Sequence, residues 1–582
     1  MNTLLVAINA KYIHSNLAVY SLKAYAQSKG NSVEIAEYTI NQQTDSIISD
    51  IYKKKPTLIG FSCYIWNIEY VKIIGREIKK LLPACHIFLG GPQVSYETSD
   101  TLKDYFWADG IMLGEGEISF NSLIEYISSN SSISDMQIPG ILVSGSKEFI
   151  PVKDCIDMDM LPFPYEDISS FNNRIIYYES SRGCPYSCSY CLSSVDKQVR
   201  YRSLSLVTKE LQFFIDMKVP QVKFVDRTFN CNRKRTFAIW SYILEHDNGI
   251  TNFHFEISAD IITDEEIALL SKMRPGLVQL EIGVQTCNLD TLNAIRRHTD
   301  LHNLSNTVAK INAGHNIHQH LDLIAGLPYE DYISFGNSFN RVFNMQPQQL
   351  QLGFLKVLKG SHMYEMANEY NIMYTDCPPF EVLSTPWLSY DDVLRLKAIE
   401  EMVEVYYNSG QFSASLSYIL RFFTTPFSMF EYLANYYEAN NLKDIGHSRF
   451  KRYEILLDAM SSLTEDNKDL SVLKEVLRYD MYLRENLKNR PAFIGTEKER
   501  KSQIHKLYLN EELLRRILPE YSEYTTKQIE RMTNTEFFTI NISKLLNDGD
   551  IVYEDNYLLF DYLCVDPVTG SAKTINVTPP EL

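Results

Sequence analysis

Three cysteines, Cys184, Cys188 and Cys191, stand together in the run Ser181-Arg-Gly-Cys-Pro-Tyr-Ser-Cys-Ser-Tyr-Cys-Leu. The spacing CxxxCxxC brings three thiolates to one short loop and withholds a fourth. Four thiolates close an iron–sulfur cluster that only shuttles electrons, whereas three leave one iron of a [4Fe–4S] cube open to a substrate or cofactor. With ten cysteines in 582 residues, so tight a triad is a strong signal. The other seven, Cys63, Cys85, Cys155, Cys231, Cys287, Cys377 and Cys564, are scattered singly, as reduced structural thiols are.

The elements that must hold this loop follow from hydrophobic patterning. From 172 to 385 six apolar runs alternate with helical patterns: Ile175 to Ser180, Val222 to Val225, Asn252 to Ile257, Leu277 to Ile282, His318 to Ile324 and Gln349 to Leu355. Such alternation, with the cysteine loop after the first run, predicts an open, partial TIM-like parallel α/β barrel. Residues 1–145 alternate in the same way, with runs Leu4 to Ile8, Val33 to Tyr38, Leu58 to Ser62, Ile87 to Gly90 and Ile111 to Gly114, and predict a Rossmann-like, doubly wound parallel sheet. Ligands in such sheets sit beyond the carboxyl ends of the strands, which directs attention to four loops. These are Asn9-Ala10 through Ser15, Cys63-Tyr-Ile-Trp66-Asn67, Gly90-Gly91-Pro92-Gln93 and Gly114-Glu115-Gly116-Glu117. Paired glycines let the backbone approach a bulky flat ligand. None of the loops is a GxGxxG fingerprint, so a dinucleotide is not favoured. Residues 146–171 read as a linker: a hairpin signal at Gly140-Ile-Leu-Val-Ser-Gly-Ser precedes the proline-marked Leu161-Pro-Phe-Pro-Tyr. Residues 386–582 change texture to amphipathic helices, as at Asp391 to Tyr407, with a few short strands from Phe537 to Val577.

The composition is that of an ordinary globular protein, 45% hydrophobic, with enough chain for about three domains. A net charge of −17 argues against charge-driven binding to nucleic acid or an anionic membrane. No apolar run is long enough for a membrane span, and the first residues, Met1-Asn-Thr-Leu-Leu-Val-Ala, lack a basic n-region, so a cytoplasmic location is expected.

The cysteine spacing resembles that of the radical S-adenosylmethionine (SAM) superfamily. Phe255-Glu-Ile-Ser-Ala-Asp, Leu280-Glu-Ile-Gly-Val-Gln, Arg297 and His320-Leu-Asp-Leu-Ile-Ala-Gly-Leu-Pro resemble strands of its oxygen-independent coproporphyrinogen-oxidase-like branch. That resemblance implies that Tyr190 lies near the adenine of SAM, that Ile324 packs on it, and that Glu256, Gln285, Arg297 and Asp322 reach the methionyl carboxylate and the ribose hydroxyls. The residue types agree, because hydroxyls want carboxylate or amide acceptors and a carboxylate wants a cation. Phe224-Val-Asp-Arg-Thr-Phe-Asn replaces the family's Gly-Gly-Glu, so the contact to the SAM amino group falls on Asp226 and Arg227. Such enzymes drive one electron into the C–S bond of SAM, from a donor such as flavodoxin or ferredoxin, and the 5′-deoxyadenosyl radical then abstracts an unactivated hydrogen; water and oxygen must be kept out.

A doubly wound domain with Gly-Gly-Pro and Gly-Glu-Gly-Glu loops ahead of such a barrel resembles the cobalamin-binding domain of cobalamin-dependent radical SAM enzymes, and residues from Ser389 resemble a domain of unknown function that accompanies them. The resemblance implies three cofactors: a [4Fe–4S] cluster on the three cysteines, SAM and cobalamin. No Asp-x-His-x-x-Gly occurs in the first domain; His14 is the one tempting candidate to replace the cobalamin's own base, while Trp66 or Asn67 stands where some members cover the lower cobalt face. Methylation of an unactivated carbon or phosphorus of a small-molecule or peptide substrate is the leading expectation. Rearrangement or oxidative cyclisation with the same cofactors, and a non-catalytic cluster or corrinoid sensor, are the alternatives. A methylthiotransferase is disfavoured, since neither a second cysteine triad nor a basic carboxyl-terminal RNA-binding module is present.

Overall fold

The computed structural model describes residues 1–577 other than 97, 131, 147–148, 154, 465, 488–489 and 495–500. The first domain is built on β1 (Thr3–Asn9), β2 (Glu34–Thr39), β3 (Leu58–Ser62), β4 (His86–Gly90), β5 (Gly110–Met112) and β6 (Ile141–Val143), in the order β2-β1-β3-β4-β5-β6. β1 and β3 are buried along their whole length, as strands covered on both faces must be. Successive side chains of β1 feed opposite cores: Leu4, Val6 and Ile8 pack on one face of the sheet, Leu5 and Ala7 on the other. The Gly140 to Ser146 segment does not close a hairpin on itself. Its β6 pairs antiparallel with β5, giving an otherwise parallel sheet one reversed edge.

The barrel follows with β7 (Ile176–Tyr178), the short antiparallel pair β8 (Ser181–Arg182) and β9 (Arg200–Tyr201), then β10 (Gln221–Phe224), β11 (Asn252–Ile257), β12 (Val278–Gln285), β13 (His318–Ala325) and β14 (Gln349–Phe354). Six of these form one parallel sheet, β14-β13-β12-β11-β10-β7, whose edges β7 and β14 leave the barrel open. Alternate residues such as Phe224, Phe255, Leu280, Leu321 and Leu350 enter the apolar core. The intervening positions carry Lys223, His254, Glu256, Glu281, His320 and Asp322, so the opposite face of this sheet is strongly polar.

Beyond the barrel come helices at Tyr390–Met402, Pro426–Ala439, Arg449–Leu463 and Asn467–Arg484, and a three-stranded antiparallel sheet of β17 (Thr533–Ile540), β18 (Tyr553–Val565) and β19 (Ala572–Val577); a small antiparallel pair, β15 (Met373–Tyr374) and β16 (Val382–Ser384), precedes them. One hydrophobic cluster runs without interruption from barrel residues through Val393, Phe430, Leu456 and Leu477 to Phe560. Among the described residues no helix is long and apolar enough to cross a membrane.

Candidate active site

Two cavities adjoin between the first domain and the barrel. The larger, about 660 Å³, lies beyond the carboxyl ends of β1, β3, β4 and β5, where the order of the doubly wound sheet reverses. The smaller, about 170 Å³, opens among the cysteine loop, β11, β12 and β13. Arg227 and Glu256 line both and form their common wall.

Cys184, Cys188 and Cys191 are unpaired thiols on the smaller cavity, the first two buried. Backbone bonds fix their loop: Cys184 N–H donates to Asp196 O at 2.9 Å, Ser189 N–H to Ile295 O at 2.9 Å, and Met363 N–H to Ser189 O at 2.7 Å. Arg297 donates through Nη2 to Gly283 O at 2.5 Å and through Nη1 to Cys188 Sγ at 3.6 Å and Tyr190 Oη at 3.5 Å. Gln285 follows a bulge in β12 and has φ +72°, a left-handed conformation that costs on the order of 1 kcal/mol. Its Oε1 and the Nε of Arg297 are buried with no protein partner, which leaves an open acceptor and an open donor facing the cavity. Gly283 sits where an added Cβ would stand 2.3 Å from Gln285 Nε2, so the amide needs glycine beside it.

Electrostatics divide the acids of this polar face. Burial pushes the Glu256 carboxyl up to about 7, against the opposing pull of Arg227. Burial also raises Asp322, although His320 Nε2 lies 3.0 Å from its Oδ1. Glu281 goes the other way: burial works against its charge, but His254 at 3.0 Å and Lys223 at 2.9 Å hold its carboxyl well below the usual range.

Six of the residues expected near SAM, namely Tyr190, Arg227, Glu256, Gln285, Arg297 and Asp322, are brought together on the smaller cavity. Asp226 and Ile324 are not. The Asp226 carboxylate is wholly engaged by Ser180 N–H at 2.8 Å, Ser180 Oγ at 2.7 Å and Ser181 Oγ at 2.6 Å, so it ties β10 to the root of the cysteine loop. Ile324 is half-buried and packs on the barrel core. On the larger cavity lie Asn9, Ala10, Ser15, Trp66, Gly90, Gly91, Gly114, Glu115, Gly116 and Glu117. Pro92 is exposed, Gln93 half-buried, and neither lines it. Asn67 is fully buried and consumed by its own loop: Nδ2 donates to Ile8 O at 3.0 Å and Ser62 O at 2.8 Å, and Oδ1 accepts from Tyr64 N–H at 2.8 Å. Gly91 has φ +113° and passes so near β3 that a Cβ would lie 2.6 Å from Cys63 O.

Glu115 and Glu117 do something the loop sequence does not announce. Glu117 pairs with Arg182 at 2.5 Å, Glu115 with Arg200 at 2.5 Å, and Arg182 also holds Glu179 at 3.0 Å. An ionic lattice thus joins the first domain to the strands that flank the cysteine loop. A second junction lies at the β1 loop, where Ile175 N–H donates to Ile13 O at 2.8 Å and Arg174 pairs with Glu37 at 2.7 Å. His14 lines the larger cavity but bonds through Nδ1 to Tyr177 Oη at 2.7 Å; burial and nearby cations lower its pKa. Sequence reasoning missed Tyr64, Tyr177 and Lys223 on this wall. Tyr64 stacks on Trp66 with ring centroids 4.4 Å apart, and two aromatics in one strand-end loop were the available signal.

Comparison with known proteins agrees with this layout. Three family models match in succession: the B12 binding domain over residues 3–124, the radical SAM superfamily over 178–342, and a protein of unknown function, DUF4080, over 368–560. The 2-(S-pantetheinyl)-carbapenam-3-carboxylate methyltransferase of Streptantibioticus cattleyicolor is 25% identical over 48% of this chain and 44% of its own length. The cobalamin-dependent radical SAM methyltransferase TokK of Streptomyces tokunonensis is 24% identical over 51% and 45%. The chain thus spans about half the length of the curated relatives it matches. The solved structure of the cobalamin-dependent radical enzyme OxsB with aqua-cobalamin and S-adenosylmethionine bound shares the fold, with TM-score 0.55, 15% identity, and coverage of 90% of this chain and 81% of that one. Domain order, strand topology and the cavity between the two sheets agree with these matches: a B12 binding domain stands directly ahead of a radical SAM domain, the layout of the cobalamin-dependent radical SAM enzymes.

Proposed function

We propose that this enzyme cleaves SAM reductively at a [4Fe–4S] cluster held by Cys184, Cys188 and Cys191, and uses cobalamin in the larger cavity to methylate an unactivated carbon or phosphorus of a small-molecule or peptide substrate. The observation that carries the reading is the shared wall at Arg227 and Glu256, which sets the thiol-lined cavity directly against the glycine-lined one. When bound, the cluster supplies the electron that splits SAM into methionine and a 5′-deoxyadenosyl radical, and the corrin supplies the methyl group. The donor set fits both: three free thiols on one side, and on the other a roomy cavity floored by Gly90 and Gly91. In this reading Arg297, which stands beside Cys188, offers its free Nε–H to the methionyl carboxylate, while Glu256, Gln285 and Asp322 accept hydrogen bonds from the ribose. Asp226 is a positioning residue, bonded to the serines that lead into the cysteine loop. Trp66, which lines the larger cavity, would pack against the bound cobalamin, whereas the Asn67 amide is already used. Domain limits of 1–145, 172–385 and 386–582, with a linker at 146–171, accompany the proposal.

The experiment is anaerobic reconstitution with iron, sulfide and hydroxocobalamin, reduction by flavodoxin or ferredoxin, and chromatography of the products of SAM. Both 5′-deoxyadenosine and S-adenosylhomocysteine are expected. 5′-Deoxyadenosine alone would move the reading to rearrangement or cyclisation, and intact SAM beside an intact cluster would leave a sensor. Cys188→Ala should lose the cluster and SAM cleavage yet keep corrin; a full cluster in that variant would refute the ligand assignment.

A further inference from the structure

Arg227 follows Asp226 at the carboxyl end of β10, on the wall that both cavities share. Its side chain keeps 54% of its surface exposed, and the nearest carboxylate oxygen, on Glu256, stands 3.8 Å away, beyond hydrogen-bond reach. The cations around it are engaged. Arg182 is held by Glu117 and Glu179, Arg200 by Glu115 and Asp196, Arg174 by Glu37, and Lys223 by Glu281. Arg235 donates to the backbone carbonyls of Arg202 and Ser180, and Arg297 to Gly283 O. Among the described residues, Arg227 is the cation on this wall whose guanidinium donates to no protein acceptor. The same pairs commit Glu115, Glu117 and Glu179, so Glu256 is the one carboxylate that competes for it.

A guanidinium presents five donors in a rigid fork that matches two oxygens of a carboxylate or phosphoryl group. It cannot serve the SAM ammonium, the contact expected at this position, because like charges repel. The smaller cavity already contains Arg297 for the methionyl carboxylate. We infer that Arg227 binds an anionic group of the substrate, a carboxylate, phosphate or phosphonate, at the boundary between the two cavities. The inference rests on the reading above and adds the substrate's charge to it: the molecule carries an oxyanion near the atom that reacts, and Arg227 determines specificity for it.

The test uses the holoprotein, loaded with cluster and hydroxocobalamin, in a buffer free of phosphate. Inorganic phosphate and methylphosphonate are titrated by phosphorus NMR line broadening, and acetate by its competition with them. Saturable binding is expected, weakened about ten-fold or more in Arg227→Gln and less in Arg227→Lys, as loss of a charge-assisted fork implies. The ranking of the three probes tells a phosphoryl from a carboxylate substrate. A second titration is run with saturating SAM, where the anion should stay bound. Displacement by SAM would assign the guanidinium to the methionyl carboxylate and overturn the inference. So would equal binding in Arg227→Gln, or no saturable binding up to about 100 mM in the native protein. 5′-Deoxyadenosine is measured in a parallel aliquot given SAM and reduced flavodoxin: its absence counts against the proposed function, whereas its formation without anion binding counts against this inference alone.

Discussion

The ionic lattice between the Gly114 to Glu117 loop and the cysteine loop can be dissected by charge. In Arg182→Leu the first domain keeps Glu117, only 5% exposed at its side chain, and the barrel keeps Glu179 at 22%, both without their cation. A buried carboxylate stripped of its partner costs roughly 3–5 kcal/mol, more than the leucine recovers by burying apolar surface. Adding Glu117→Gln removes the more deeply buried of the two stranded charges. The double variant should therefore be more stable than Arg182→Leu alone, with an interaction energy of about 2 kcal/mol in a double-mutant cycle. Urea unfolding followed by intrinsic fluorescence measures the stabilities. Iron per chain after reconstitution reports the loop itself, because Arg182 stands two residues before Cys184; it should fall in Arg182→Leu and recover in part in the double variant. Strictly additive losses, or a cost for Arg182→Leu below about 1 kcal/mol, would show that the lattice is solvated and contributes no coupling.

Glu330 gives a pH signature away from the chemistry. Burial raises its carboxyl from 4.5 to about 7 despite bonds from Thr286 Oγ1 at 2.6 Å and Ser338 Oγ at 2.9 Å. The folded state thus binds the proton more tightly, so stability should decline by roughly 3 kcal/mol as pH rises from 4.5 to 7. Glu330→Gln should lose that part of the slope and be the more stable protein above pH 7, as read from melting curves across pH. Gly91→Ala should destabilise the first domain by about 2 kcal/mol, from the positive φ and the contact with Cys63 O, and reduce the cobalamin retained through gel filtration. Normal retention in a folded variant would mean that this loop does not floor the corrin site.

β1 and β3 were legible because parallel strands buried on both faces read as unbroken apolar runs, while β11 falls where its alternation of Phe253, Phe255 and Ile257 with polar residues places it. β6 was harder. Gly140 and Gly145 both take positive φ and bracket three apolar residues, the pattern of a turn-bounded strand, but nothing in that pattern names β5 as its partner. The thiols and the Gly-Gly loop carry their meaning in local spacing. Glu115, Glu117 and Asp226 do not: their partners are 85, 65 and 46 residues distant, and a carboxylate that clamps a domain has the same sequence as one that binds a ligand. Asn67 is a related case: its bonds to Ser62 O and Tyr64 N–H are local, but the one to Ile8 O forms only once β1 and β3 lie side by side.

The hydrophobic cluster that runs from β7 to β18 makes the chain less modular than its three family matches suggest. The first domain has two cores of its own, one on each face of its sheet. The radical SAM and DUF4080 segments share one. Residues such as Phe339 of the barrel and Phe430 of the following helices are each other's solvent shield, so a gene that kept one segment without the other would encode a bare apolar face. The second and third segments would then unfold as a single cooperative block, with the first able to melt separately beside it.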